Sequence, residues 1–303
     1  MKKIYVLEHF DFTREQRARL DALGEVKYYE KATEDDIAEA IGEADAILID
    51  WIDPDTILPK LHKGQFICLP YTGYDWVKNL GMAKDNGVVI SNTPNYSTNA
   101  VAEHHIALLL DVAKHITEFN NEYKATGKTS FNRGFELASK RVGIIGFGNI
   151  GYRLATLIKP FTSDIVTYNR TKKNVDGILD VTLDELLTTS DVVCVTCRLN
   201  DKTKNLISTR ELDIMKRGAI LTSTTGEVVD LDALDIALDR GILFGAGIDD
   251  VDKCIVPSTL VQKPNFVCTY HRAYDTNESE NNRINLCIDS IEAFLNGSPI
   301  NKI

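Results

Sequence analysis

Gly143-Ile144-Ile145-Gly146-Phe147-Gly148-Asn149-Ile150-Gly151-Tyr152 lies near the middle of a 303-residue chain. Val142, Ile144 and Ile145 before it make the apolar run of a buried strand, and Tyr152 to Lys159 after it is compatible with a helix. The glycines follow the spacing Gly146-x-Gly148-x-x-Gly151. In a strand–turn–helix context each has a distinct task. Gly146 makes the tight turn, Gly148 lets a pyrophosphate approach the backbone, and Gly151 lets helix and strand pack closely. The helix start adds unpaired N–H groups and a partial positive charge. The stretch therefore predicts dinucleotide binding, and its central position leaves the first half of the chain to form something else.

That first half alternates short apolar runs with amphipathic segments: Ile4–Leu7, Thr13–Leu23, Val26–Tyr29, Thr33–Ile41 and Ala46–Ile49. Such alternation predicts βαβ units and a parallel sheet, with Phe66–Leu69 and Val88–Ile90 as further strands. Tyr71-Thr72-Gly73-Tyr74-Asp75 is a loop at a strand end, where α/β sheets place ligands. After Asn92-Thr93-Pro94-Asn95, one long helix is expected, capped by Ser97 or Thr98, with Ile106, Leu109, Ala113, Ile116 and Phe119 on one face. Residues 123–140 are polar and read as an exposed excursion. Strands are then expected at Val142–Ile145, Ile165–Thr167, Val192–Val195, Ala219–Thr222, Leu243–Ala246 and Phe266–Cys268, with helical segments at Leu231–Leu238 and Asn277–Leu295.

In NAD-binding folds an acidic residue about 20 positions beyond the glycines takes the ribose hydroxyls. Here the second strand ends in Asn169-Arg170-Thr171-Lys172-Lys173. An acid would repel a 2′-phosphate; a neutral amide followed by cations would not, and Arg170 can pair with a phosphate through two hydrogen bonds. This favours NADP(H) over NAD(H).

Bulk properties narrow the partners. Charged residues make up 26% and hydrophobic ones 44%, as in a folded globular chain large enough for two cores. The net charge of −10 argues against nucleic acid or an anionic membrane surface as partner. The start, Met1 to Glu8, meets charge too soon for a signal peptide. Six cysteines are scattered along the chain. Cys194 and Cys197 have CxxC spacing but lie within or beside an apolar run, with no second pair or histidine to complete a metal set, so they read as buried strand thiols, which fits a reducing cytoplasm.

Taken in order, several blocks resemble the D-isomer-specific 2-hydroxyacid dehydrogenases over nearly the whole chain. These are Thr72-Gly73-Tyr74-Asp75, Asn92 to Glu103, Gly146 to Gly151, Gly226-Glu227-Val228-Val229-Asp230, Gly245-Ala246-Gly247-Ile248-Asp249 and Thr269-Tyr270-His271. The resemblance implies an α/β protein of two Rossmann-like domains and a homodimer. A discontinuous, flavodoxin-like substrate domain (1–96 plus 276–303) would carry an inserted cofactor domain (97–275), with a cleft between them. It implies roles as well. Thr72, Gly73 and Tyr74 would meet the substrate, which would be a small carbonyl compound or hydroxy acid. Gly146, Gly148, Asn149, Ile150 and Gly151 would meet the pyrophosphate. Asn169, Arg170 and Thr171 would sit at the ribose, Thr224 and Thr225 beside the cofactor, and Asp249 on the nicotinamide carboxamide. His271 would be the general acid in hydride transfer to a 2-oxo acid or related carbonyl, a task that suits imidazole.

Two members of the family's catalytic set do not match. Its arginine stands just before the glycine matching Gly226, where this chain has Thr225. Its glutamate falls on Cys254, leaving Asp252 as the acidic substitute, while Arg198 and Tyr270 replace two prolines typical of the family. Arg272 or Arg198 would supply the missing cation, or else the substrate needs no carboxylate clamp. His104 and His105 are further cleft candidates, one of them expected at the surface. Two readings follow: an oxidoreductase with an atypical site, or a catalytically degenerate nucleotide-binding protein that regulates or interacts.

Overall fold

The structure, a computed structural model, describes every residue except 172–174, 176 and 253. The chain divides into two compact units, Met1–Ser97 with Thr276–Ile303, and Thr98–Asp275.

The first unit is built on β1 (Lys3–Val6), β2 (Glu25–Tyr28), β3 (Ala46–Leu48), β4 (Phe66–Leu69) and β5 (Val89–Asn92), all parallel, in the order β2-β1-β3-β4-β5. This is the flavodoxin-like order that the family resemblance implied. Because side chains alternate across a strand, each apolar run feeds two cores. Ile4, Val6, Ala46, Leu48, Phe66 and Cys68 face Ile284, Cys287, Ile288 and Ile291 of the helix Asn277–Leu295. Tyr5, Leu7, Ile47, Ile49, Ile67 and Leu69 pack on the other side with Ile57, Leu58 and Ala83. The helices Arg14–Asp21 and Glu34–Glu43 begin with capping boxes, Thr13 with Gln16 and Thr33 with Asp36.

The terminal helix is also fastened by charge. Arg283 is largely buried and donates to Asp50 at 2.5 and 3.2 Å and to Glu280 at 2.8 Å twice.

In the second unit β6 (Val142–Ile145), β7 (Ile165–Tyr168), β8 (Leu179–Asp180), β9 (Val192–Val195), β10 (Ala219–Ser223), β11 (Leu243–Ile248) and β12 (Phe266–Cys268) pair in parallel, in the order β12-β11-β10-β9-β6-β7-β8. The chain leaves β6 in one direction through β7 and in the other through β9, so the strand order reverses beside β6. Ligands of such sheets bind at that point, outside the carboxyl ends. The two-residue β8 was not expected, being too short to show periodicity. One face buries Ile145, Val193, Val195, Leu221 and Ile248; the other buries Val142, Ile144, Val192 and Ile220 beneath the helices Thr98–Lys114 and Asn149–Ile158. The first of these helices lies hard against β11. A Cβ on Gly245 would meet Val112 at 2.6 Å, and one on Gly247 would meet Leu108 at 2.8 Å.

Two expectations are corrected. The long helix does not run through to Phe119: it stops at Lys114, and a second helix spans Ile116–Thr126. His115 makes the break in the left-handed region at φ 56°, buried between Glu118, which its Nδ1 meets at 2.6 Å, and Phe244. Nor is 123–140 wholly an excursion. Phe131 is exposed, but Leu137 is buried and Phe135 packs on the same core.

Replacing Arg283 by Met would leave the largely buried carboxylate of Asp50 without its ion-pair partner. Urea unfolding should show a loss of about 3 kcal/mol, the usual cost of breaking one side of a buried ion pair. Replacing Asp50 and Arg283 together by apolar residues should recover much of it.

Candidate active site

At the carboxyl end of β6 the chain turns through Gly146 at φ 90°. A Cβ there would meet the backbone and Cβ of Cys197 at 2.6 Å, and one on Gly151 would lie 2.5 Å from the Gly146 carbonyl oxygen. A Cβ on Gly148, by contrast, would meet open space, and Gly148 caps the helix Asn149–Ile158 with no side-chain bond of its own. Asn149 and Ile150 lie in the first turn of that helix. The glycine spacing thus produces a rigid turn with one open approach, at a helix N-terminus.

Asn169 stands just past β7. Its Oδ1 accepts the Phe147 N–H at 2.5 Å, tying the second strand to the glycine loop, while its Nδ2 is buried with no hydrogen-bond partner among the described residues. An unmet buried donor beside an open helix start fits a bound dinucleotide, whose ribose oxygens accept hydrogen bonds. Arg170 and Thr171 are exposed just beyond it. Lys172 and Lys173, the expected auxiliary cations, lie outside the described residues.

At the ends of β10, β11 and β12 a second group of residues meets. Asp249 is buried, and its carboxylate accepts from Thr269 Oγ1 at 2.6 Å, Arg272 N–H at 2.9 Å and Ala273 N–H at 2.9 Å. It thereby grips the loop that carries His271, which is left-handed at φ 51°. Asp250 is left-handed as well, at φ 63°, and its carboxylate accepts a hydrogen bond from His271 Nδ1. With Asp250 ionised, Nδ1 must carry the proton, so the second ring nitrogen, Nε2, is the one that can exchange a proton with a substrate. The Tyr274 ring meets the imidazole edge-on at 5.1 Å.

This corrects the expected partner of the histidine. Asp252 Oδ1 lies 3.8 Å from His271 Nδ1 and, among the described residues, is buried without a hydrogen-bond partner. Asp250 holds the closer position. Position along the chain points to Asp252, since the family's glutamate comes later in the loop, and only the left-handed turn at Asp250 aims its side chain back toward the histidine. Arg272 is corrected too: its guanidinium is largely exposed and pairs with Asp275 at 2.7 Å. Arg198 is exposed beyond β9. Thr225, where the family has arginine, lies 3.4 Å from the Cys197 carbonyl oxygen through its hydroxyl. The next residue, Gly226, is so tightly set that a Cβ would come 2.3 Å from the Asp250 carbonyl oxygen.

Neither histidine of the long helix is a surface residue. His104 Nε2 lies 2.9 Å from Thr269 Oγ1, whose own proton goes to Asp249, so His104 donates. His105 is fully buried between Thr222 Oγ1 and Thr224 Oγ1, each 3.1 Å away, which commits the Thr224 hydroxyl to the core. Burial lowers the affinity of both rings for a proton, and for His105 the pKa falls to about 3. Burial likewise pushes the thiol pKa of Cys194 up to about 12 and of Cys197 up to about 11, so both are protonated near neutrality. Cys194 is the buried strand thiol expected, whereas Cys197 lies part-buried just beyond the strand.

Thr72, Gly73 and Tyr74 belong to the first unit. Thr72 Oγ1 donates to the Thr93 carbonyl at 3.0 Å, and the Thr72 carbonyl accepts from Asn92 Nδ2 at 2.9 Å. Gly73 faces open space, and Tyr74 packs on the core.

A dinucleotide-binding sheet whose strand ends also carry a carboxylate-held histidine defines a nicotinamide-dependent oxidoreductase. Comparison with known proteins agrees. The D-isomer specific 2-hydroxyacid dehydrogenase, NAD binding domain, matches residues 106–273. A hydroxypyruvate reductase of Blautia hydrogenotrophica is 30% identical over 94% of this chain and 93% of its own. A glyoxylate reductase of Pyrococcus furiosus is 34% identical over 74% and 71%. An acyclic imino acid reductase, solved in complex with NADPH and D-Arg, is 26% identical with a TM-score of 0.87 and full coverage of both chains. The chain belongs to the D-isomer specific 2-hydroxyacid dehydrogenase family.

The buried His105 makes stability depend on pH. Its folded pKa lies below the unfolded value, so the unfolded chain takes up the proton first as pH falls. The contribution is complete above about pH 6.5 and is lost at up to about 1.4 kcal/mol per pH unit below it. Urea melts at pH 7 and 5 should show this loss, and His105→Gln should flatten it.

Proposed function

We propose that the protein is an NADP(H)-dependent reductase that delivers hydride to a small 2-oxo acid or related carbonyl, with His271 giving the proton. One observation carries the reading: a carboxylate holds Nδ1 of the histidine that matches the family's general acid, which directs its chemistry to Nε2. Mutating an aligned acid–base residue typically costs two to four orders of magnitude in rate, about 3–6 kcal/mol of barrier.

The cofactor supplies the hydride. The residues that would hold it are Gly146, Gly148, Asn149, Ile150 and Gly151 at the pyrophosphate, Asn169, Arg170 and Thr171 at the ribose, and Thr225 and Asp249 toward the nicotinamide, with Thr224 contributing only its backbone because His105 holds its hydroxyl. Asp249 already accepts three hydrogen bonds, and a carboxylate offers about four lone-pair positions, so one remains for a carboxamide. Preference for NADP(H) is supported by the absence of an acid at Asn169 and by the exposed guanidinium of Arg170 beside it. The similar reductase bound to NADPH is in keeping with this. That relative reduces an imino acid, so whether the double bond is C=O or C=N falls to the residues around His271.

The first unit, with Thr72, Gly73 and Tyr74, would serve the substrate. Six free cysteines suit a reducing cytoplasm, and family membership supports a homodimer, which light scattering on the eluting protein would check. In the described residues no helix is long and apolar enough to cross a membrane. The matched relatives are reductases and dehydrogenases, and nothing among them favours the degenerate, regulatory alternative.

His271→Ala should lower kcat at least a hundredfold while NADPH affinity by calorimetry stays within twofold. Turnover that survives in this variant would refute the assignment. Asp250→Asn should cost at least tenfold by releasing the ring. Separately, Arg170→Ala should weaken NADPH at least tenfold and NADH hardly at all; equal losses would remove its role at the 2′-phosphate.

A further inference from the structure

The two carboxylates beside His271 set a different charge pattern from the one that the family resemblance implies. The implied set is an arginine, a histidine and a glutamate, positive overall once the imidazole is protonated. Here the histidine has two carboxylates: Asp250 bonded to Nδ1, and Asp252 with an oxygen 3.8 Å from the same nitrogen. That Asp252 oxygen is buried and, among the described residues, has no hydrogen-bond donor, a costly state for a carboxylate that a cationic partner would relieve. The arginine position is Thr225, and the next residue packs directly on this loop, with the backbone carbonyl oxygen of Asp250 and Cys254 Sγ at 2.3 and 2.8 Å from a Cβ on Gly226. The arginine position thus adjoins the backbone of the loop that carries the two acids. Arg272 does not compensate, because Asp275 holds its guanidinium at the surface.

From this arrangement we infer that the substrate is a C=N compound reduced as its protonated iminium, and that Asp252 is the residue that selects for it. The inference rests on the proposed reductase reading and names its substrate class. An iminium brings its own positive charge, so it needs no guanidinium to polarise it, and the double loss of arginine and gain of acid has one cause. Reduction adds one hydride from NADPH to the imine carbon, and the C=N π pair settles on nitrogen as a lone pair. The products are a neutral amine and NADP⁺. A substrate that arrives unprotonated takes the one extra proton from His271 Nε2. A reversal of one unit charge about 5 Å away changes affinity by more than tenfold even in a partly aqueous site.

The test uses the full-length protein with NADPH, with pyruvate as the carbonyl probe and pyruvate plus excess methylamine as the imine probe, products being separated by mass spectrometry. N-methylalanine should form at least ten times faster than lactate. Asp252→Asn should lower that ratio at least tenfold, and Asp252→Glu should keep it. A second readout needs no turnover: with NADP⁺ bound, calorimetry should show N-methyl-D-alanine binding more tightly than D-lactate, a difference erased in Asp252→Asn. Lactate as the sole product, or a ratio unmoved by Asp252→Asn, overturns the substrate class and leaves the reductase intact. If cofactor binds but is oxidised in neither mixture, the reductase reading itself falls, and this inference with it.

Discussion

Parallel pairing is the constraint on which the second unit depends. Strands that all run the same way end along one edge, so the loops after β6, β7, β9, β10, β11 and β12 open on the same side of the sheet. The central strands β6, β9 and β10 are buried on both faces and can offer little chemistry along their length. The reactive groups are forced to the ends: the glycine turn, Asn169, Thr225, Asp249, Asp250 and His271 all follow within a few residues of a strand. Two left-handed residues, Asp250 and His271, then finish the arrangement by turning their side chains toward each other.

Asp249 shows how the scaffold and the chemistry are joined. As a buried carboxylate it needs donors, and it finds them in Thr269 and in the backbone of 272 and 273. Those bonds offset the unfavourable backbone of His271, a conformation that costs of order 1 kcal/mol for a residue with a Cβ. His104 extends the chain of donors back into the helix Thr98–Lys114, which the bare glycines of β11 allow to lie close to the sheet. A residue far from the reacting atoms is in this way tied to the orientation of the imidazole.

The family's usual chemistry joins an anionic substrate to a guanidinium. This chain retains the histidine and gives it carboxylate neighbours, which changes the electrostatic task without disturbing the sheet. Such an exchange is possible because the loops at strand ends tolerate substitution that the buried strands do not.

The local pattern was enough to predict most of the strands, the glycine turn and the two-part organisation, because apolar alternation and glycine spacing act over a few residues. Order 2-1-3-4-5 in the first sheet followed from family resemblance rather than from any single segment. The break at His115 did not show, since a buried left-handed histidine looks like any other residue in a helical run. Asp250 was passed over for Asp252 for the same kind of reason: which of two neighbouring acids meets a histidine twenty residues away depends on the sign of one backbone dihedral. By itself the sequence determined that a dinucleotide fold would form and that a histidine would stand at its edge. Only the tertiary structure decided which carboxylate holds that histidine, because charge partners are chosen by distance through space and not along the chain.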